Sequence, residues 1–269
     1  ASIWPHSPSS GASVTGTGSI AWTNPSYITG ADTNYAVATN IKNTAPSVYL
    51  HGTGYGFTIP TGAAINGIQV AILRKASNTN VFDANVHLLK SGAIVGSNYA
   101  SWTAWSTSAV TGYYGSTSDL WWTTWTRADI NRNNFGASLS VSASVAQNRT
   151  ASVDYIAITV TYTPDTTPPT FSWVTTWAYY NTGRTITFSD PDLSWANLSW
   201  AILSWLDNSY YSWNFQSGST ITWTGKYIFT VYDIAGNSSW ATFTIDKTQP
   251  IFSWVTTWAY YNTGRTITF

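Results

Sequence analysis

The 269-residue chain has no cysteine and no methionine, and its 11 acidic residues are all aspartate. Without cysteine there is no disulfide framework, no thiolate metal site and no thiol nucleophile. Without glutamate, a carboxylate pair for acid–base chemistry has to be two aspartates, and the Glu-, Lys- and Leu-rich composition of coiled coils and helical bundles is excluded. Charge of either sign is scarce. Charged residues make up 8% of the chain, against roughly a quarter in ordinary soluble domains. Eleven basic residues balance the acidic ones, so no basic field marks a nucleic-acid or anionic-membrane partner. No apolar run approaches the roughly 18 residues that span a bilayer as a helix. The chain opens at Ala1, the kind of start that removal of a signal peptide leaves. With abundant Ser, Thr and Asn, this sets an expectation of an extracellular, cell-surface location.

What fills the chain is Ser, Thr, Asn, Gly, Tyr and Val, the chemistry of strands and turns. The expected fold class is all-β. An internal repeat organises it. Residues 171–188, FSWVTTWAYYNTGRTITF, recur without a difference at 252–269, 81 residues on, and Asp165–Thr170 aligns with Asp246–Ile251. A repeat of that length suits a small β-sandwich of about seven strands. The domain reading is a β-sandwich head over 1–163, a Pro-rich linker over 164–170, a sandwich repeat over 171–248, and the incomplete start of a next repeat over 249–269. Those last residues offer two strand-like pieces, too little to bury a face alone. Either the protein continues into further repeats or the tail completes a sheet on a neighbouring subunit.

Within 1–163 the strand pattern is clear. Ile68, Val70 and Ile72 alternate with polar or small residues, as do Phe135 to Ala143 and Ile156 to Tyr162. Period two with one apolar face predicts sheets covered on one side, here a jelly-roll-like sandwich. Thr126-Arg-Ala-Asp129 imitates a capping box, predicting one short helical turn at a crossover between sheets.

The repeat resembles the immunoglobulin-like repeat domains of bacterial surface proteins and adhesins. The matching pieces are Asp165-Thr-Thr-Pro-Pro-Thr170, Tyr179-Tyr-Asn-Thr-Gly183, Thr185-Ile-Thr-Phe-Ser-Asp-Pro-Asp192, Tyr232-Asp-Ile-Ala-Gly-Asn237 and Phe243-Thr-Ile-Asp246. The head is similar to a module that precedes such repeats in bacterial surface proteins, through Tyr55-Gly-Phe-Thr-Ile-Pro60 and Trp125-Thr-Arg-Ala-Asp-Ile-Asn131 among others. The resemblance implies a fold and tandem stacking, not a chemistry. It also implies a structural Ca²⁺ at the domain junction, on Asp165, Asp190, Asp192, Asp233 or Asp246 with backbone carbonyls. The competing reading is that each of these aspartates caps a turn through its own side chain.

Other chemistry finds little support. His6, His51 and His87 are far apart with no ligand spacing, and no Gly-x-Ser-x-Gly elbow sits between a strand and a helix. No enzyme is therefore expected. The expected function is a structural or adhesive one: a stalk or filament subunit whose partners are further repeats, neighbouring subunits, or a surface or glycan ligand of the head. The alternative is a carbohydrate-binding module, with pairs such as Tyr113-Tyr114, Tyr179-Tyr180 and Tyr210-Tyr211 offering rings for stacking. In a strand, one ring of each pair faces the core and the other solvent.

Seventeen tryptophans are many for this length, and thirteen have turn-like or repeat contexts that ill suit an indole. In the repeat every one follows Ser or Thr, as in Leu193-Ser-Trp-Ala-Asn-Leu-Ser-Trp200. Setting the thirteen aside leaves Trp22, Trp105, Trp121 and Trp125. A UGA codon that the source reads as glycine accounts for the thirteen, because glycine is what turns with positive φ need. The rival account is a Trp-rich surface for glycans or interfaces.

Overall fold

A computed structural model describes residues 4–201, 211–249, 260 and 262–263. The alternating segments all become strands. In order they are β1 (Ser10–Val14), β2 (Ala36–Ile41), β3 (Tyr49–Thr53), β4 (Ala64–Ala76), β5 (Val81–Lys90), β6 (Ala93–Val95), β7 (Val110–Gly115), β8 (Gly136–Ala143) and β9 (Arg149–Thr163). These nine lie in the first of two compact units, Ala1–Asp165, and form two sheets ordered β1-β3-β8-β5-β6 and β2-β9-β4-β7. Every pairing in them is antiparallel. Ile68, Val70 and Ile72 of β4 and Ile156, Ile158 and Val160 of β9 share one buried cluster with Leu50, Val86, Leu139 and Val141 of the other sheet. Each such side chain contributes about 1.5–3 kcal/mol when fully removed from water.

The expected helical turn is α1 (Arg127–Ile130), between β7 and β8, which belong to different sheets. Its capping box is complete: the Thr126 hydroxyl accepts from the Asp129 amide, and the Asp129 carboxylate accepts from the Thr126 amide at 2.9 Å. Ile130 drops into the core, and Asn131 holds both backbone polar groups of Ile59, at 2.8 and 3.0 Å.

The second unit, Thr166–Phe269, holds β10 (Thr170–Ser172), β11 (Ala178–Tyr180), β12 (Arg184–Ser189), β13 (Leu193–Ala201), β14 (Tyr211–Asn214), β15 (Ser219–Ile221), β16 (Gly225–Asp233) and β17 (Ser238–Ile245). They form a three-stranded sheet, β10-β12-β15, and a five-stranded one, β11-β17-β16-β13-β14. β11 runs parallel to β17, while the other pairings are antiparallel. Buried and half-buried residues alternate along β16, whose inward Tyr227, Phe229 and Val231 meet Ile186 and Ile221 of the smaller sheet. Phe229 is the centre of this core, with Phe171, Phe188 and Phe215 ring centroids 5.4–5.7 Å away. The expected start of a next repeat, 249–269, falls almost wholly outside the described residues. Among the described residues, no helix is long and apolar enough to cross a membrane.

Candidate functional site

Three of the five aspartates expected to bind Ca²⁺ cap turns. Asp190 accepts the Asp192 amide at 3.1 Å, closing a turn before β13. Asp246 accepts the Thr248 amide at 2.9 Å just after β17. Asp233, buried at the end of β16, closes the Asp-Ile-Ala-Gly-Asn turn. Its two carboxylate oxygens accept the Asn237 backbone amide and side-chain amide, both at 2.7 Å. Turn capping is therefore the geometry of Asp190, Asp233 and Asp246. Beyond it, Asp192 and Asp233 of the second unit each bring a carboxylate oxygen within 4.8 Å of the other's. Asp190 and Asp246 are not part of that pair. Two like charges so close repel, by about 1 kcal/mol in water and several times that where partly buried. The separation matches oxygens that share one hard cation at about 2.3–2.6 Å each.

In the first unit, the polar centre is Asp83, which no sequence motif marks. It is buried on the core side of β5 and accepts four hydrogen bonds: from Arg74 Nη1 at 3.1 Å, Trp105 Nε1 at 2.9 Å, the Ser101 amide at 3.1 Å and the Tyr114 hydroxyl at 2.9 Å. Burial pushes its carboxyl above the ordinary range, while the Arg74 charge and the donated hydrogen bonds pull it back down. Burial likewise lowers the Arg74 guanidinium, and Asp83 opposes that. Arg74 lies over the Trp105 and Tyr114 rings at 4.9 and 5.4 Å. A cleft of about 330 Å³ opens beside it, lined by Arg74, Ser101, Trp105, Val110 and Tyr113. A carboxylate with four donors in place is a structural anchor rather than a free base. The one sequence signal for it is an acid at an inward, apolar-phase position of an alternating strand.

The histidines require a correction. His6 is a packing residue: its Nδ1 sits 2.7 Å from the Tyr55 carbonyl and its ring stacks on Phe57 at 4.6 Å. His51 and His87, expected to lie far apart, are not. His51 on β3 and His87 on β5 both register against Ser138 of β8, one from each side. Their adjacency is invisible in sequence because β8, which comes last, inserts between the two strands. His51 Nε2, Ser138 Oγ and His87 Nδ1 are buried with no hydrogen-bond partner. Burial lowers both imidazoles below the usual histidine value, partly offset at His87 by hydrogen bonds with the Gly96 and Ser97 backbone.

The tyrosine pairs split as strand geometry requires. Tyr114 is buried and Tyr113 exposed; Tyr180 is half-buried and Tyr179 exposed. Tyr210 and the Tyr211 side chain lie outside the described residues. A second cleft, of about 630 Å³, lies in the repeat unit between β13–β14 and β15, where Leu198, Phe215, Ile221 and Tyr227 form the apolar wall and Trp213 and Trp223 the rim.

No family model matches the chain, and no curated protein does. Among solved structures, it is similar to the crystal structure of a beta-1,2-glucanase from Parabacteroides distasonis, at 15% identity and a TM-score of 0.28, over 81% of this chain and 33% of that one. The chain thus spans about a third of that protein's length. This finding corrects the expectation that the chain is not an enzyme: the similar structure is that of a beta-1,2-glucanase. At that TM-score the likeness carries no argument for hydrolysis either.

Proposed function

We propose that this chain belongs to an extracellular, repetitive surface protein, in which a jelly-roll-like head precedes tandem immunoglobulin-like repeats that act as a stalk or filament subunit. The observation that carries the reading is the duplication. Residues 171–188, which carry β11 and most of β10 and β12 of the second unit, recur letter for letter at 252–269. The strand order supports the immunoglobulin-like resemblance: a β10-β12-β15 sheet faces a β11-β17-β16-β13-β14 sheet, and β11 joins the last strand in parallel. Such modules give length through nearest-neighbour stacking, and the stiff Thr-Thr-Pro-Pro lead-in limits bending. The partners are further repeats, neighbouring subunits, and a surface or glycan ligand of the head. Electron microscopy of the natural material tests this. Rods or fibres with a regular module spacing are expected, and isolated compact particles overturn it.

The same reading assigns a structural Ca²⁺ to the second unit at Asp192 and Asp233, whose mutual repulsion a divalent cation relieves. Melting the full chain with Ca²⁺ and with EGTA checks it. The second unit is expected to melt higher with Ca²⁺, and Asp192→Asn is expected to abolish the difference. The carbohydrate-binding alternative rests on the exposed Tyr113 beside the head cleft. It requires glycan binding that Tyr113→Ala removes.

A further inference from the structure

The tryptophans divide cleanly by environment. Trp22, Trp105, Trp121 and Trp125 are all buried, 8% exposed or less. Each donates its indole N–H: to the Val48 carbonyl, the Asp83 carboxylate, the Ile68 carbonyl and the Leu120 carbonyl, at 2.9–3.1 Å. Of the thirteen others, nine have described side chains, and all nine are exposed, from 44% at Trp213 to 87% at Trp122. An indole is the largest apolar side chain, and nine of them in water make a surface prone to association. Some only lean on neighbours, as Trp195 on Tyr232 with centroids 4.4 Å apart, and stay about half exposed.

The backbone agrees. Trp122, Trp173 and Trp177 have φ of 56°, 76° and 68°, the left-handed region that favours glycine. Trp121 also has a positive φ, 58°, but its ring is fully buried and hydrogen-bonded, so tertiary contacts hold it there. The exposed three have no such burial. Trp195 sits where the β13–β16 register shifts, a bulge position at which glycine is common.

We propose that the natural protein carries glycine at these thirteen positions, specified by UGA codons that its own cell reads as glycine, and tryptophan only at the four buried ones. Trp254 and Trp258 repeat Trp173 and Trp177 letter for letter; they, Trp205 and the Trp200 side chain lie outside the described residues and follow the same codon. The repeat unit then presents a backbone-rich polar surface without an aromatic strip, and Trp213 and Trp223 no longer rim its cleft. Peptide mass spectrometry of the natural protein, read beside the gene, tests this. Glycine is expected at 122, 173 and 177, with UGA there and UGG at 22, 105, 121 and 125. An indole in the natural peptides at 173 or 177, or UGG at those codons, overturns it. A recombinant Trp122→Gly, Trp173→Gly, Trp177→Gly chain is a second check. It is expected to melt no lower and self-associate less than its parent, and a lower melting temperature counts against glycine at these sites.

A separate observation carries a second inference. On the face of the first unit's five-stranded sheet away from its core, His51, Ser138 and His87 form one row across β3, β8 and β5. Cross-strand neighbours have Cβ atoms about 5 Å apart, so Ser138 lies between the two histidines, of which His87 is also hydrogen-bonded with the Gly96 and Ser97 backbone. Three buried polar atoms without hydrogen-bond partners on one cross-strand row point to one shared partner. Ser138 itself is 1% exposed. Two imidazole nitrogens and a hydroxyl oxygen suit a borderline divalent transition ion such as Zn²⁺, with water filling the remaining positions, and not Ca²⁺. We infer that this row binds such an ion. Titration of the full chain with Zn²⁺ at neutral pH is expected to show one site, lost in both His51→Ala and His87→Ala while His6→Ala keeps it. No saturable Zn²⁺ binding, or binding that survives both substitutions, overturns the inference.

Discussion

At the scale of single residues, Asp83 shows how much rests on one side chain. Its four hydrogen bonds gather β4, β5, β7 and the loop before β7 around a single carboxylate. Removing one partner of a buried ion pair leaves the other charge uncompensated, which costs about 3–5 kcal/mol. Asp83→Ala should therefore destabilise the first unit by that order, with Arg74 left charged and buried. Asp83→Asn keeps the shape and part of the hydrogen bonding and should cost less. Denaturant unfolding of the full chain, followed by far-ultraviolet circular dichroism, reads both. Equal losses for Ala and Asn would mean that charge, not connectivity, dominates. This anchor was not legible in the sequence, since Arg74 and Asp83 lie on consecutive strands of different sheets and nothing in their spacing shows that Trp105 and Tyr114 fold back onto them. The Ca²⁺ candidates were only half legible. The resemblance named five aspartates, and within the second unit folding brings Asp192 and Asp233 together while using Asp190 and Asp246 as plain turn caps.

At the scale of elements, alternation was the readable signal. β4, β8 and β9 appear where apolar residues recur every second position, and α1 appears where the capping box lies. Pairing was not readable, because register is set between strands distant in the chain. The parallel β11–β17 contact and the insertion of β8 between β3 and β5 are both of that kind. Bulges were equally hidden. The β4–β9 register shifts between Ile65 and Gly67, and a Cβ at Gly67 would run into the Thr117 and Ser118 backbone. Backbone cannot yield as a flexible side-chain end can, so Gly67→Ala should destabilise by about 1–3 kcal/mol, the usual scale of overpacking. Gly56, whose added Cβ would meet nothing within 4 Å, supplies the contrast. Its φ of 67° still disfavours alanine, but only by about 1–2 kcal/mol of local strain. Hydrogen exchange should show Gly67→Ala loosening the β4–β9 ladder and Gly56→Ala leaving it protected.

At the scale of the whole chain, the described residues form two buried hydrophobic clusters, and each draws only on its own unit. Cooperativity follows shared burial, so each unit should unfold as its own transition. Leu139 in the first core and Phe229 in the second are both fully buried and can be used to separate them. Truncating either leaves a cavity that costs about 2–5 kcal/mol. In calorimetry of the full chain, Leu139→Ala should lower one transition and Phe229→Ala the other, each leaving its counterpart in place. Were both substitutions to lower a single transition together, the units would be one cooperative body. A stalk built from separately folding modules would then lose its physical basis, because a chain of repeats tolerates extension only when each added module closes its own core.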